Sequence, residues 1–334
     1  MKLVGTLESV LAGASDREPM THTDSKSGAR FERVTVDGER FVVKYLDIRD
    51  DWTMRATGQL AYAPVVLWRR GLLDRLPSCF VQPIVDVATA DGTPGHRQVA
   101  LIMRDIGEWL VPEGDDELAI DTHLQFLDHL AALCAAFWGG GHDLEVVPMT
   151  NRYLELSPWT ATTEAAIESD AVVPQLVGEG WERFPDEAPR AAELVLDLAR
   201  DPSPLVGALE TTPLTFVHGN WKLGNLGCTD DGRTVLFDWE TPGIGTACGE
   251  LAWYLAINAA RLPHSKEETI DAFRIALRLH GIDTEPWWER QLGLALLGGL
   301  VHFGWEKALG GRNDELEWWE QRALDGARFL DSAR

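Results

Sequence analysis

Cysteine and long apolar runs are both scarce in this sequence. The four cysteines form no C-x-x-C pair, which argues against a zinc motif and a dense disulfide framework and fits a reducing cytoplasm. The longest apolar run, LGLALLGGLVHFGW from Leu292, is shorter than the roughly 20 residues that a membrane helix needs. The N-terminal apolar patch is too broken by polar and acidic residues to be a secretion signal. We therefore expect no membrane segment, and a buried helix at the apolar run.

Positive charge is also in short supply. The chain has 30 Lys and Arg against 53 Asp and Glu, a formal net charge of −23. Such a surface repels nucleic acid and anionic lipid, so neither is expected as a partner. The average field does not exclude a local nucleotide pocket, because magnesium, loop amides and a lysine act at short range.

The first 105 residues are predicted to form a small antiparallel sheet with one or two helices. Two apolar, β-branched runs between Arg30 and Tyr45 meet at VDGE, and Asp-Gly between such runs is a strong hairpin signal. The polar stretch THTDSKSGA precedes what we predict as the first strand. Asp50 or Asp51 is suited to cap a helix, which Pro64 then interrupts. The segments SCFVQPIVDVATA and RQVALIMRDI are predicted as two further strands.

Residues 106–334 are predicted to be mainly helical. Apolar residues recur at helical spacing in DTHLQFLDHLAALCAAFW, with Asp121 as a possible cap, and in several later segments. Between the helices, only LTFVHGN and TVLFDWE have strand character, and each ends in a polar cluster. These ends carry the residues with the clearest chemical pattern.

The segment FVHGNWKLGN resembles a catalytic loop, and Asp238, in VLFDWE after the next predicted hairpin, has the position of a metal-binding carboxylate. Phosphoryl transfer needs hard oxygen ligands for Mg²⁺ and a cation on the nonreacting phosphates. Asn225 and Asp238 are the candidate metal ligands. Lys44, at the end of the predicted hairpin, is the candidate for the α- and β-phosphates of ATP or another nucleoside triphosphate, and the loop from Thr23 to Gly28 would lie over them.

Together these motifs make the chain resemble the aminoglycoside phosphotransferase and choline kinase-like family, from about Thr23 onward. In that family the catalytic loop is His-Gly-Asp with an Asn five residues later, and a second Asp follows a hairpin; the matches here are His218, Gly219, Asn225 and Asp238. The resemblance implies an α+β, protein-kinase-like fold of two lobes with the nucleotide in the cleft between them. Residues 1–105 would be the nucleotide-binding lobe, and residues 106–334 the helical lobe with catalytic loop, metal site and acceptor pocket.

The candidate site residues have four roles. They are Lys44, Ser25, Ser27, Gly28, Met103 and Asp105 for the nucleotide, Asn225 and Asp238 for Mg²⁺, Asn220, Lys222 and His218 for the transfer, and Glu240 and Glu250 for the acceptor. Lys222 is either a cation for the transferring phosphate or a solvated side chain. His218 is expected mainly to hold the loop. Near Asp105 the adenine is expected to bond backbone groups.

Two departures from the family pattern affect the expected activity. Asn220 stands where the family has its catalytic Asp, and an amide neither accepts a proton nor carries charge. From Tyr45 to Leu76 there is no Glu to pair with Lys44, which leaves Asp47, Asp50 or Asp51 as substitutes. Because a general base contributes about 10²–10⁴-fold, we expect slow turnover with nucleotide binding retained. Asn220 then marks a slow or silent natural variant, an enzyme with another base, or a deliberate inactivating change.

The predicted function is ATP-dependent phosphorylation of a hydroxyl on a small molecule. Amino sugars, aminoglycosides, sugars and choline-like alcohols are the acceptor classes. Five of the 14 tryptophans lie near carboxylates in the last 50 residues, which weakly favours a cationic acceptor, although tryptophans at helical spacing are more often core than cage. The alternative is a catalytically silent protein that binds a nucleotide or ligand. A protein kinase is disfavoured, since DWETPGIG leads quickly into a helix.

Overall fold

The computed structural model describes residues 2, 4–20, 27–91, 97–140, 144 and 146–330. The chain forms two compact units. Unit 1 contains Met1–Glu113 and Leu223–Glu240, and unit 2 contains Gly114–Lys222 and Thr241–Arg334. The sequence-predicted ranges, 1–105 and 106–334, group the later hairpin with the helices, whereas it packs within unit 1.

Unit 1 is built on a six-stranded sheet among the described residues, in the order β1-β6-β7-β4-β3-β2. Neighbouring strands are antiparallel except for the parallel pair β1 and β6. Its elements are β1 (Gly5–Thr6), α1 (Leu7–Val10), β2 (Ser15–Met20), β3 (Arg30–Val36), β4 (Glu39–Leu46), α2 (Trp52–Ala56), α3 (Ala63–Arg70), β5 (Phe80–Val81), β6 (Ile84–Asp91) and β7 (Arg97–Arg104). Strands β1 and β2 lie before the strand that was expected to be the first. The sequence did not predict them, because they are short and polar and lack the apolar alternation by which strands are recognised.

The predicted hairpin is confirmed as β3 and β4. Val36 pairs with Glu39, so Asp37 and Gly38 form a two-residue turn. Both have positive φ, 51° and 83°, which is the backbone pattern that favours Asp-Gly in tight hairpins. The turn thus sets the register that places Lys44 opposite Phe31.

Short helices follow β4 as expected. The Asp51 carboxylate accepts a hydrogen bond from the Met54 N–H at 2.9 Å, which confirms Asp51 as the cap of α2. Pro64 lies in the first turn of α3, where its missing N–H has no cost. Helix α2 is five residues long and ends at Ala56, before the chain reaches Pro64.

The segment Leu223–Glu240 joins unit 1 through a second sheet. Strands β9 (Leu226–Cys228) and β10 (Thr234–Leu236) form an antiparallel hairpin, and β10 pairs in parallel with β5. Gly227 also bridges to Leu110, which follows β7. This pairing of residues far apart in sequence explains why the predicted domain ranges miss it.

Unit 2 is mainly helical, as predicted. Its elements are α4 (Ile120–Ala136), α5 (Met149–Leu154), α6 (Pro158–Ala166), α7 (Val172–Glu187), α8 (Ala192–Arg200), α9 (Ser203–Leu209), β8 (Thr215–Val217), β11 (Gly243–Gly245), α10 (Ala247–Ile257), α11 (Lys266–Leu279), α12 (Trp288–Leu309) and α13 (Asp314–Ala327). Asp121 is not a cap, because α4 begins one residue earlier and Asp121 lies in its first turn.

The apolar run near the C-terminus forms the central part of α12, which confirms the predicted buried helix. Most of α12 is buried, and it packs against α7, α10 and α13. A Cβ on Gly299 would lie 2.6 Å from the ring of Trp319, so glycine permits the close packing of α12 and α13. No helix among the described residues is both long and apolar enough to cross a membrane.

Candidate functional site

One face of the unit 1 sheet forms the wall of a cleft. Lys44 pairs with Phe31 on β3 and with Leu101 on β7, so these three side chains share a face. The cleft has a volume of about 330 Å³ including its open mouth. It is lined by Phe31, Lys44, Ile84, Leu101, Met103, Phe237, Asp238 and Trp239. An apolar cleft with one ammonium and one carboxylate suits a flat ring system that carries an anionic group.

Lys44 is held by two carboxylates within unit 1. Its ammonium lies 2.5 Å from Asp238 Oδ1 and 2.8 Å from Glu240 Oε1, and its side chain is only 7% exposed. Burial alone would lower the pKa of Lys44, but the two carboxylates outweigh it and raise that pKa above its ordinary value. Lys44 is therefore charged at neutral pH.

None of the three aspartates expected to substitute for the missing helix Glu pairs with Lys44 among the described residues. Asp47 forms an ion pair with Arg49, and Asp50 is exposed. Asp51 caps α2, and burial raises the pKa of its carboxyl. None of these carboxylates forms the expected ion pair with Lys44 in the described part of the chain, although the charge of Lys44 lowers the pKa of Asp51 against the effect of burial.

Asn225 and Asp238 lie at the same end of the β9–β10 hairpin. The Phe237 N–H donates to the Asn225 carbonyl at 3.4 Å, which extends the antiparallel pairing by one residue. Opposed Cα atoms in such a pair are about 4.5–5.5 Å apart, and Asp238 is the residue that directly follows Phe237, opposite Asn225. Asp238 has φ 63°, an uncommon value for a side-chain-bearing residue.

These two side chains fit the donor set of a magnesium site. A carboxylate and an amide oxygen are hard ligands, and Mg²⁺ usually completes its octahedron with water and phosphate oxygens. Among the described residues there is no cluster of three or more His, Cys, Asp or Glu suited to a metal. Mg²⁺ held by Asn225 and Asp238 would complete its coordination with water and phosphate oxygens.

The end of the predicted phosphate-covering loop lies beside Glu240. The Ser27 hydroxyl donates to Glu240 Oε1 at 3.4 Å, and the Ser27 carbonyl accepts from the Trp52 N–H at 3.3 Å. Gly28 has φ 100°, and a Cβ there would lie 2.1 Å from the Asp50 carbonyl oxygen. Glycine is required for this contact. Ser25 lies outside the described residues.

Met103, in β7, and Asp105, just after β7, occupy different environments. Met103 lines the cleft. The Asp105 carboxylate lies 3.3 Å from Arg33 Nε and accepts from the Gly107 N–H at 3.3 Å. Its side chain therefore holds the chain after β7, and the role of this segment toward adenine stays a prediction for its backbone.

The catalytic-loop motif in unit 2 is folded around a buried carboxylate. Glu250, in the first turn of α10, accepts hydrogen bonds from the N–H of His218 at 2.6 Å and of Gly219 at 3.0 Å. His218 is fully buried, and its Nδ1 accepts from the Asn220 N–H at 3.3 Å. This supports the loop-holding interpretation of His218.

Burial raises the pKa of Glu250 to about 7, although the N–H donors and Arg152 oppose that shift. The motif glycine is also explained by the contacts in unit 2. Gly219 has φ 83°, and a Cβ there would lie 2.0 Å from the Thr241 carbonyl oxygen. The Thr241 hydroxyl in turn donates to the Gly219 carbonyl at 3.0 Å.

Lys222 is half-buried at the end of this loop. Its N–H donates to the Asn220 carbonyl at 3.0 Å. Within the part of the chain that the structure describes, its ammonium forms no ion pair. A cation without a protein partner is open to an anionic ligand or to water.

A second cavity lies in unit 2 against the catalytic loop. Its volume is about 410 Å³ including its open mouth, and it is lined by Met149, Arg152, Tyr153, Val217, Gly219, Gly245, Thr246, Gly249, Glu250, Trp253 and His302. His302 stacks on Tyr153 at 4.2 Å and meets Trp253 edge-on. Burial lowers the pKa of His302 to about 3, so its ring is neutral. Three aromatic rings and one carboxylate thus face the same cavity.

Sequence reasoning missed Gln59, Thr241 and the aromatic residues of this cavity. Gln59 donates to the backbone carbonyl of Glu240, and its Oε1 accepts from the Ala63 N–H at 3.0 Å. No sequence motif surrounds Gln59, so its contact with Glu240 could not be predicted. Nothing in the spacing of the tryptophans distinguishes Trp253.

Neither a protein-family model nor a curated protein sequence matches this chain. Its structure is similar to that of a microcompartment-associated aminopropanol kinase, with 15% identity, a TM-score of 0.51, and coverage of 95% of this chain and 94% of that one. A choline kinase from Streptococcus pneumoniae has 13% identity and a TM-score of 0.50, with 96% of both chains covered. A thermostable aminoglycoside phosphotransferase mutant, in a ternary complex with ADP and hygromycin B, has 16% identity, a TM-score of 0.50 and 97% coverage of both chains.

These similarities extend over nearly the whole chain, and at such low identity they concern the fold. They confirm the predicted α+β fold class, with a sheet-containing N-terminal part and a mainly helical C-terminal part. The chain therefore has the fold of the aminoglycoside phosphotransferases and choline kinases that its motifs resemble.

Proposed function

We propose that this protein transfers the γ-phosphoryl group of ATP to a hydroxyl of a small molecule. The observation that carries the proposal is the grouping of Lys44 and Asp238 at an apolar cleft, with Asn225 at the same end of the β9–β10 hairpin. An apolar slot for the base, a cation for the phosphates and two hard oxygen donors are the parts that nucleotide-dependent phosphoryl transfer requires. The fold similarity to small-molecule kinases supports the same conclusion.

Each residue has a defined part in this proposal. Asn225 and Asp238 would hold Mg²⁺, which when bound neutralises charge on the phosphates. Lys44 would bind the α- and β-phosphates, and the backbone near Met103 would bind the adenine. The apolar lining of the cleft would shield the ring from water, and the phosphates would lie on the side of Lys44 and Asp238.

Residues 218–222 would act on the transferring group and the acceptor hydroxyl. Asn220 can orient a hydroxyl through its amide oxygen, but it cannot take the proton. Lys222 would stabilise charge on the transferring phosphoryl group. In a loose transition state positioning and charge contribute most, so the loss of a general base lowers the rate by about 10²–10⁴-fold without abolishing nucleotide binding.

The acceptor would be a small hydroxylated molecule, with cationic ones favoured. The unit 2 cavity has three aromatic rings that suit an amine, and it holds Arg152 beside Glu250, so its two side-chain charges are of opposite sign. Glu250 already accepts two backbone N–H groups, and its carboxylate has lone pairs left for a hydroxyl or amine of the acceptor. Amino alcohols and amino sugars are the first classes to test, with aminoglycosides and simple sugars next.

A catalytically silent nucleotide-binding protein is the second candidate, and Asn220 is the observation that favours it. Turnover separates the two. The experiment compares the unchanged chain with Asn220→Asp for phosphorylated product and ATP consumption over choline-like alcohols, amino alcohols, amino sugars, aminoglycosides and sugars. Asn313→Asp is the matched control, because Asn313 caps α13 and Asp is an equally good cap.

The proposal expects ATP with Mg²⁺ to raise the melting temperature of all three proteins. It expects Asn220→Asp to turn over an acceptor at least about 100-fold faster than the other two. Binding without turnover in every protein would favour the silent alternative. If none binds ATP, the proposed function is wrong.

A further inference from the structure

We propose that Glu240 is the residue that positions Lys44 for the nucleotide, in place of the helix glutamate that the sequence lacks. This inference rests on the proposed function, because it assigns a positioning role within the same nucleotide site. It differs from the sequence-based prediction, in which Glu240 contacts the acceptor.

A lysine that binds phosphates needs a fixed partner. Its ammonium is a point charge on a flexible four-carbon stem, so a neighbouring carboxylate decides where the charge lies. Helix α2, the nearest helix after Lys44, is five residues long and contains no Glu. The function of the missing carboxylate must therefore come from elsewhere in the chain.

Glu240 provides that carboxylate from the segment after β10. Its Oε1 lies 2.8 Å from Lys44 Nζ, and its side chain is 11% exposed. Asp238 also contacts Lys44, but it is the metal candidate of the pair with Asn225. A carboxylate that binds Mg²⁺ has less charge to offer the lysine, whereas Glu240 is free of that duty and can remain on Lys44.

Glu240 is itself held by residues on either side of α2. Gln59, just after the helix, donates to the Glu240 backbone carbonyl. Ser27, whose carbonyl accepts from the N–H of Trp52 at the start of the helix, donates its hydroxyl to Glu240 Oε1 at 3.4 Å. The helix region thus positions Lys44 indirectly, through Glu240, instead of by a glutamate of its own.

The test measures the affinity for a fluorescent ADP analogue, once in EDTA and once with saturating Mg²⁺. The variants are Glu240→Gln, Lys44→Met and the double variant, and Glu39→Gln is the matched control because it removes an equal charge from an exposed site of unit 1. We expect Glu240→Gln to weaken binding about 10-fold or more under both conditions, the size of one lost charge-assisted hydrogen bond. We expect the double variant to bind no more weakly than Lys44→Met.

The expected direction is opposite to simple electrostatics. Removing a negative charge beside an anionic ligand would strengthen binding if Glu240 did nothing for Lys44. Unchanged or tighter binding by a folded Glu240→Gln variant would therefore overturn the inference, as would a loss seen only with Mg²⁺, which would make Glu240 a metal ligand. Glu240→Asp, which keeps the carboxylate, should recover part of the affinity if the charge on Lys44 matters.

Two outcomes are distinct at the level of the whole site. If the unchanged chain does not bind the ADP analogue, the proposed function fails and this inference fails with it. If the unchanged chain binds the ADP analogue, and the losses of affinity in Glu240→Gln and Lys44→Met add up in the double variant, only the positioning role is overturned.

Discussion

The buried carboxyl of Glu250 gives unit 2 a pH-dependent stability. Its pKa is raised to about 7 from an ordinary value of 4.5, mainly by burial. At a pH between these two pKa values, the Glu250 carboxyl loses its proton in the unfolded chain and keeps it in the folded chain. The folded state therefore binds more protons, and the contribution of Glu250 to stability falls as the pH rises through this window. Above about pH 7 the contribution is constant.

The substitution Glu250→Gln removes this dependence, because an amide does not ionise. Integrating the two titrations between pH 5 and pH 8 gives a change of roughly 2–3 kcal/mol in the difference between the two proteins. With roughly 2.1 cal/mol/K of unfolding entropy per residue, this equals about 3–7 °C for 200 to 330 residues that melt together. The variant should gain this much in melting temperature, relative to the unchanged chain, when the pH is raised.

Differential scanning calorimetry of both proteins at pH 5, 6, 7 and 8 measures this effect. The absolute cost of the amide at the His218 and Gly219 N–H groups is the same at every pH, so only the trend is diagnostic. Glu193→Gln, at an exposed position of α8, is the matched control and should follow the unchanged chain. A Glu250→Gln difference that stays constant from pH 5 to pH 8 would refute the reasoning that burial governs this carboxyl.

Three further predictions concern single contacts. Gly219→Ala should lower the stability by about 2 kcal/mol or more, because its Cβ would collide with the Thr241 carbonyl at a positive φ; calorimetry checks it, and an unchanged melting temperature would contradict it. Lys44→Met leaves two partly buried carboxylates without their cation, so we expect a loss of about 3 kcal/mol and at least tenfold weaker ADP binding, measured by denaturation and titration. Gly299→Ala overfills the contact with Trp319 and should cost about 1–3 kcal/mol while leaving ADP affinity unchanged.

Local patterns predicted much of the fold. The Asp37-Gly38 turn, the cap at Asp51 and the buried helix α12 each depend on a few neighbouring residues, whose preferences are visible in the sequence. Strands β1 and β2 were missed, because short polar strands at a sheet edge lack apolar alternation. The grouping of Leu223–Glu240 with unit 1 was missed as well, since β10 pairs with a strand about 150 residues earlier in the chain.

The sequence predicted the individual residues of the candidate site, but not which of them contact one another. Lys44, Asn225 and Asp238 could be named because their spacing resembles a known motif. The structure brings Lys44 and Asp238 to one cleft, and Asn225 and Asp238 to the same end of the β9–β10 hairpin. The partner of Lys44 was predicted wrongly, because proximity in sequence favoured Asp47, Asp50 and Asp51. Those roles that no contact tests, such as the part of Lys222, stay predictions.

The sequence by itself determined which chemical groups are available: one strand lysine, an amide in place of the catalytic carboxylate, and an Asn and Asp suited to Mg²⁺. It also determined the local turns and caps, whose energies come from neighbouring residues. Only the tertiary structure decided that Glu240 meets Lys44 and that Glu250 holds the His218–Gly219 backbone. Such contacts join residues about 30 to 200 positions apart, and they arise from the strand pairing and burial of the whole unit, which no local pattern records.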